Sequence, residues 1–170
     1  MRVTQIVSKK HLINTSHYRY ETPIGMIIVT CLGATVVAVE LEREIPFDGA
    51  YKATALSDQT ARQLEEYFKG KRQNFDLPLA PIGTSFQQKV WKALQRIPYG
   101  KTKSYKQIAE KIDNPNASRA VGMANHNNPI MIIIPCHRVI GANGKLVGYA
   151  GGLSLKQQLL DLEKGAPVFN

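Results

Sequence analysis

The stretch IMIIIPCHRVI, residues 130–140, determines how the second half of this chain is interpreted. Five apolar, mostly β-branched residues precede Pro135, and such a run predicts a fully buried strand. Proline has no N–H for a sheet ladder, so the strand should end there. Cys136 would then lie where a buried core gives way to an accessible turn, with His137 and Arg138 directly after it.

A thiol is a nucleophile only as the thiolate, and a neighbouring base or cation favours that form. His137 can accept the proton and Arg138 supplies positive charge. The alternative is that Cys136 is only a small buried apolar residue, but its Pro-Cys-His-Arg context favours the nucleophile. The second cysteine, Cys31, lies at a predicted strand end without a base beside it, and we interpret it as structural.

The composition is that of a globular protein, with 170 residues, 44% hydrophobic and 21% charged. No apolar run reaches membrane-spanning length, and residues 1–20 lack the apolar core of a secretory signal, so we expect a cytoplasmic protein without a membrane partner. Scattered histidines and the absence of a Cys-x-x-Cys motif predict no metal. The net charge of +9 points to a polyanion, most often nucleic acid, and an ordinary basic protein is an equally open alternative on charge alone.

Turn residues and apolar stretches divide the chain into two predicted domains. Residues 1–78 should form a small α/β domain, with strands between residues 18 and 42 and a helix from Ser57 to Lys69. Residues 79–83, with two prolines nearby and a glycine, should form the linker. Residues 84–170 should form a mostly helical domain, whose first helix begins with a capping box at Ser85 and Gln88.

Two short helices with a tight turn at residues 113–116 match a helix-turn-helix. The first begins with a capping box, Ser104 to Gln107. The second is predicted to pack through small residues, namely Ala117, Ala120, Val121 and Ala124. Arg119 should point away from that packed face. An ordinary helical hairpin is the alternative. A phosphate loop at Gly100-Lys101-Thr102 is rejected because position 95 is Gln95 instead of glycine.

A last helix over residues 153–164 would place Glu163 on a largely apolar face. A buried carboxylate is costly unless it is paired, so an inward Glu163 implies a partner. The alternative is a solvated carboxylate in the last helical turn.

Several of these segments together resemble the O6-alkylguanine-DNA alkyltransferases. The resemblance covers residues 84–163 and is carried by Asn128-Pro129, by the IPCHRVI motif at 134–140 and by GYAGGL at 148–153. It implies a DNA repair protein that flips an O6-alkylated guanine out of double-stranded DNA and transfers the alkyl group irreversibly to its own cysteine. Such a protein turns over once and needs no cofactor, and we expect it to act as a monomer.

The resemblance also implies a role for each site residue. Cys136 accepts the alkyl group, His137 and Glu163 form a relay with a water molecule, and Asn128 braces the active-site turn. The flipped base is contacted by the side chain or backbone of five residues, namely Tyr105, Val139, Tyr149, Ala150 and Gly151. The second helix of the helix-turn-helix enters the minor groove through three residues, namely Ala117, Ser118 and Arg119, with Arg119 filling the gap in the stack.

The predicted fold is therefore α/β (α+β), with a small amino-terminal α/β domain and a mostly helical, winged-helix-like DNA-binding domain. Two other functions remain open at this stage. A DNA-binding regulator would use the same helix-turn-helix without chemistry at Cys136. A cysteine hydrolase would turn over repeatedly through a transient acyl-enzyme.

Overall fold

The computed structural model describes residues 15–42 and 51–169. This part of the chain forms two compact units, one within residues 1–82 together with residue 169, and one spanning residues 83–168. The mixed α/β fold class is confirmed. No helix among the described residues is long and apolar enough to cross a membrane. The expectation that no secretory signal is present rests largely on residues 1–14, which lie outside the described residues.

Where the structure describes it, the first unit forms a three-stranded antiparallel sheet with one helix packed on it. Strands β1 (Thr15–Thr22), β2 (Gly25–Leu32) and β3 (Thr35–Leu41) pair in sequence order. Helix α1 (Ala55–Phe68) packs Leu64, Tyr67 and Phe68 in the core.

Two sequence predictions in this unit need correction. The cap of α1 is Thr54 instead of Ser57, and Ser57 completes the capping box as its third helical residue. The predicted linker also begins inside the sheet, because the Val36 N–H donates to the carbonyl of Pro78 and Ala80 returns the bond to Val36. Prolines at 78 and 81 did not prevent this contact, since the bonded amide belongs to Ala80.

The second unit contains four α-helices and one short parallel strand pair. Its elements are α2 (Ser85–Leu94), β4 (Lys103–Ser104), α3 (Tyr105–Lys111), α4 (Ser118–His126), β5 (Val139–Ile140) and α5 (Leu153–Glu163). Helices α2, α3 and α4 pack on one another around Trp91, whose indole N–H donates to the carbonyl of Ala124 at 2.8 Å. Helix α2 is capped by Thr84, one residue before the predicted cap.

The predicted helix-turn-helix is present as α3, a turn and α4, and the Ser104–Gln107 capping box is confirmed. The predicted inner face of α4 is wrong at Ala120, which is exposed, whereas Val121, Ala124 and Asn125 are buried. The buried face of α4, which begins at Ser118, is narrower than the face predicted from the positions of the alanines.

The predicted strand over residues 130–134 is also wrong. These residues are buried but form consecutive turns, with the Ile134 N–H bonded to the Ile130 carbonyl and the Ile133 N–H bonded to the Met131 carbonyl. Ile132 adopts φ 67°, which is unusual for a β-branched residue. An apolar run specifies burial, and burial was correct, but it does not specify sheet pairing.

Candidate active site

Asn128 holds the turns that carry the cysteine. Its side-chain oxygen accepts the N–H of Ile130 at 3.1 Å, and its amide nitrogen donates to the carbonyl of Ile134 at 2.8 Å. These bonds replace the sheet partners that a buried backbone would otherwise require. The position predicted to brace the active-site turn therefore has the contacts that such a role requires.

Cys136 begins a short 3-10 turn, Cys136–Arg138, and is only 4% exposed. The amide nitrogen of Asn128 lies 3.1 Å from its sulfur, and Asn125 donates to its carbonyl at 3.2 Å. Burial raises the pKa of the thiol, and the Asn128 hydrogen bond opposes that rise. The turn is thus less accessible than the sequence predicted, and a thiolate here depends on specific neighbours.

His137 lies in a buried ion-pair cluster with Glu163. The His137 Nε2 and Glu163 Oε1 atoms are 2.7 Å apart, and both side chains are fully buried. Burial alone would raise the pKa of Glu163, but hydrogen bonds from His137 and Arg138 outweigh it and lower the pKa to about 2. Glu163 is therefore a carboxylate, so Nε2 of His137 carries the proton and Nδ1 is the basic atom of the ring.

Arg138 belongs to this cluster and not to the thiol. Its guanidinium donates to both carboxylate oxygens of Glu163 at 2.9–3.1 Å and to the carbonyl of Ile97 at 2.6 Å. The backbone N–H of Gly100 also donates to Glu163, at 2.9 Å. The expectation that Glu163 faces inward with a partner is confirmed. The expectation that Arg138 supplies positive charge to Cys136 is wrong.

The cation near the thiol is Lys156, which the sequence analysis did not identify. Its side chain is fully buried in α5, and its Nζ donates to the carbonyls of Val139 at 2.7 Å and Val147 at 2.9 Å. Burial lowers the pKa of Lys156 to about 8, and its charge lowers the pKa of Cys136. A lysine seven residues before the inward Glu163, with leucines between them, was the available signal.

The charge state of His137 suits it to accept a proton. Burial lowers the pKa of the imidazole, and its hydrogen bond to Glu163 opposes that effect. A neutral imidazole has one basic nitrogen that can accept a proton, and the carboxylate behind it would stabilise the imidazolium once formed. Cys136 and His137 lie 27 and 26 positions before Glu163 in the sequence, yet all three residues are buried in the second unit.

The predicted base pocket is lined by α3 and the loop before α5. The Tyr105 hydroxyl donates to the Val147 carbonyl at 3.0 Å, so the same carbonyl binds both Tyr105 and Lys156. Tyr149 is 9% exposed, and burial and the nearby Cys136 raise the pKa of its hydroxyl well above the usual value. Ala150 is exposed.

Gly151 is closely packed in this loop. A Cβ at Gly151 would lie 2.7 Å from a methyl of Leu155 and 3.1 Å from the Tyr149 ring. A larger residue would therefore have to turn the Leu155 side chain away and crowd the Tyr149 ring. Tyr105 meets the loop at the Val147 carbonyl, and the Lys156 Nζ joins that carbonyl to the carbonyl of Val139.

The outer face of α4 carries the residues predicted to contact DNA. Arg119 is exposed, while Ala117 and Ser118 are half-buried at the start of the helix. Gly122 lies against the Tyr105 ring, since a Cβ there would be 3.8 Å from two ring carbons. This contact places α4, the helix predicted to insert Arg119 into the DNA stack, against Tyr105 of the predicted base pocket. No cluster of metal-ligating side chains occurs among the described residues.

Comparison with known proteins agrees with this geometry. The model of the 6-O-methylguanine DNA methyltransferase DNA-binding domain matches residues 85–165, and that of its ribonuclease-like domain matches residues 17–81. A methylated-DNA–protein-cysteine methyltransferase of Methanosarcina acetivorans is 50% identical over 149 residues, which cover 85% of this chain and 95% of that protein. One from Mycobacterium bovis is 46% identical over 158 residues, covering 87% of this chain and 92% of that protein.

Solved structures give the same result. The crystal structure of Mycobacterium tuberculosis OGT in complex with DNA superposes with a TM-score of 0.83 at 43% identity, covering 91% of this chain and 99% of that one. The Mycobacterium tuberculosis O6-methylguanine methyltransferase has a TM-score of 0.81 at 43% identity, covering 89% and 93%. The chain therefore belongs to the 6-O-methylguanine DNA methyltransferase family, the O6-alkylguanine-DNA alkyltransferases.

Proposed function

We propose that this protein repairs O6-alkylguanine in double-stranded DNA by moving the alkyl group onto Cys136. The observation that carries the proposal is the buried turn in which the sulfur lies 3.1 Å from Asn128, followed directly by the His137–Glu163 pair. Two relatives that are 50% and 46% identical to this chain are named methylated-DNA–protein-cysteine methyltransferase, and the match covers most of their length. Cys136 supplies the nucleophile and His137 the base. Lys156 and Glu163 supply the charges that stabilise the thiolate and the imidazolium.

The reaction is a displacement at carbon. The thiol proton passes to Nδ1 of His137 through a bridging water, and the thiolate attacks the alkyl carbon of the base. The sulfur–carbon bond forms as the bond from carbon to guanine O6 breaks, and the departing guanine takes up one proton, which replaces the proton that the thiol gave to His137. Glu163 stabilises the transient imidazolium, and Lys156 favours the thiolate.

The product explains why one protein molecule would repair one base. A thioether has no polarised carbonyl for water to attack, unlike the acyl-enzyme of a cysteine hydrolase. Cys136 would stay alkylated and the protein would be consumed. We also propose that the protein works as a monomer in the cytoplasm, where a reducing environment keeps Cys136 as a thiol.

Base recognition is assigned to the pocket next to this sulfur. Tyr105 contacts the flipped base, the carbonyl of Val139 accepts from its amino group, and the loop at Tyr149, Ala150 and Gly151 closes on it. Burial and the nearby Cys136 raise the pKa of both the Tyr105 and the Tyr149 hydroxyls, which supports this assignment, and the bond from Tyr105 to the Val147 carbonyl joins α3 to the loop. Arg119 would fill the space that the extruded nucleotide leaves in the stack.

Intact-protein mass spectrometry after incubation with a duplex that contains O6-methylguanine tests the proposal. We expect wild-type protein to gain one methyl group, with peptide mapping placing it on Cys136. Cys136→Ala should gain none while still binding DNA. Cys31→Ala is the matched control, because Cys31 is also buried but lies in the first unit, and it should gain one methyl group.

Two results would refute the assignment. Repeated turnover would indicate a hydrolase, since only a labile intermediate regenerates the thiol. DNA binding without methyl transfer in the wild type would indicate a regulator that uses the helix-turn-helix alone.

A further inference from the structure

A basic groove lies on the second unit, between α2 and the carboxy-terminal end of α3. It is lined by Lys89, Lys92, Arg96 and Lys111, with Ala93, Ile112 and Asp113 completing its wall. Its volume is about 190 Å³. Liquid water occupies roughly 30 Å³ per molecule, so a phosphate group fits within the groove.

The groove is built from residues other than those on the outer face of α4. At 100° per residue, Lys89 and Lys92 lie about 160° and about 100° around α2 from Trp91. Trp91 packs against α4 through its bond to Ala124. The two lysines therefore lie on other faces of α2 than Trp91 does, and no residue of α4, Arg119 included, lines the groove.

The charges in the groove are not neutralised by the protein. Four cations line it against the one carboxylate of Asp113, and no ion pair joins any of these four to an acid among the described residues. Residues 83–168 contain twelve Lys or Arg and four Asp or Glu, so they carry +8 of the net +9. Side chains that are exposed, positive and unpaired around a concavity favour an anion, and here a polyanion.

We propose that this groove binds the phosphate backbone of a second segment of DNA, distinct from the segment held by α4. The inference rests on the proposed function, because DNA is the polyanion that the protein must search. A protein that touches two segments at once passes from one to the other without full release. The groove would thereby speed the search for rare lesions by direct transfer between segments.

The test measures how fast the protein leaves a fluorescent, unmodified short duplex as unlabelled duplex is added. The groove variant is Lys89→Gln/Lys92→Gln/Arg96→Gln, in which all three side chains are exposed and the fold is kept. The matched control removes the same charge from exposed positions of the first unit, as Lys52→Gln/Arg62→Gln/Lys71→Gln.

We expect the wild-type dissociation rate to rise in proportion to the competitor concentration, and the control to behave alike. The groove variant should dissociate at a rate that no longer depends on competitor. In the wild type, the competitor-driven dissociation rate should fall as the salt concentration rises. The slope should correspond to about 0.9 counterions released for each phosphate that the groove contacts.

Three results would overturn the proposal. The groove variant could keep the wild-type dependence on competitor, or the control could lose it equally, which would make total charge the cause. Inorganic phosphate at fixed ionic strength could occupy the groove while no competitor dependence exists, which would assign the groove to a small anion.

Alkylation by free O6-benzylguanine, measured on the same preparations, should be unchanged in both variants. Absence of that reaction in the wild type would refute the proposed function while leaving the competitor result interpretable.

Discussion

Replacing Glu163 with Gln tests the buried cluster behind the thiol. The carboxylate accepts hydrogen bonds from His137, Arg138 and the Gly100 N–H at 2.7–3.1 Å. Glutamine keeps the shape but replaces one acceptor oxygen with an NH₂ group that faces donors. The guanidinium of Arg138, only 7% exposed, would then be left without its counter-charge.

Two estimates of the cost agree. Removing one partner of a buried ion pair typically destabilises a protein by about 3–5 kcal/mol. Separately, the pKa of Glu163 is lowered from 4.5 to about 2. At about 1.4 kcal/mol for each factor of ten, this corresponds to roughly 3 kcal/mol of stability at neutral pH. We therefore expect Glu163→Gln to lower the free energy of unfolding by about 3 kcal/mol.

Urea unfolding followed by the fluorescence of Trp91 measures this cost in the second unit, because the chain has a single tryptophan. Asp161→Asn is the matched control. It removes the same charge from the same helix, but Asp161 is only half-buried and bonds to Gln157, so we expect a change within about 0.5 kcal/mol.

The pH dependence has a definite sign. Because the folded pKa of Glu163 lies below its ordinary value, its contribution is complete above pH 4.5 and is lost as the pH falls towards 2. The difference between wild type and Glu163→Gln should therefore shrink below pH 4.5. Under folding conditions the variant should also alkylate roughly 10²–10⁴-fold more slowly, because the imidazolium is no longer stabilised. A cost below 1 kcal/mol, or an unchanged rate, would refute this account.

Three further substitutions address the rest of the site. Lys156→Met should move the pH profile of Cys136 alkylation by iodoacetamide to higher pH, whereas Lys156→Arg should keep it nearer the wild type; an unmoved profile for Met would show that the thiol does not sense this charge. Arg119→Ala should lose repair of duplex DNA but retain most of its reaction with free O6-benzylguanine, and equal losses on both substrates would assign Arg119 to the fold or pocket. Asn128→Ala should destabilise the second unit by about 1–3 kcal/mol in urea unfolding, because buried backbone groups lose their partner; Asn127→Ala next to it is the control and should cost much less.

The sequence by itself determined the features that depend on neighbours along the chain. Capping at Ser104 predicts where α3 begins, because the bonds of a capping box span only three residues. The helical spacing of the leucines in α5 predicted that Glu163 would lie on the apolar face. The cost of burying a carboxylate then predicted a partner for it. The position of Cys136 after a buried apolar run was also predictable, since burial follows from composition alone.

Only the tertiary structure decided which groups meet across the chain. Arg138 lies two residues after the cysteine, yet its side chain pairs with Glu163, because a buried carboxylate is more stable beside a bidentate guanidinium. Lys156 occupies the position near the thiol that Arg138 was predicted to take. The apolar run became turns instead of a strand, because Asn128 supplies the hydrogen bonds that a sheet would have provided. Hydrophobic patterning fixes which residues are buried, whereas the pairing of buried polar groups depends on distances that exist only after folding.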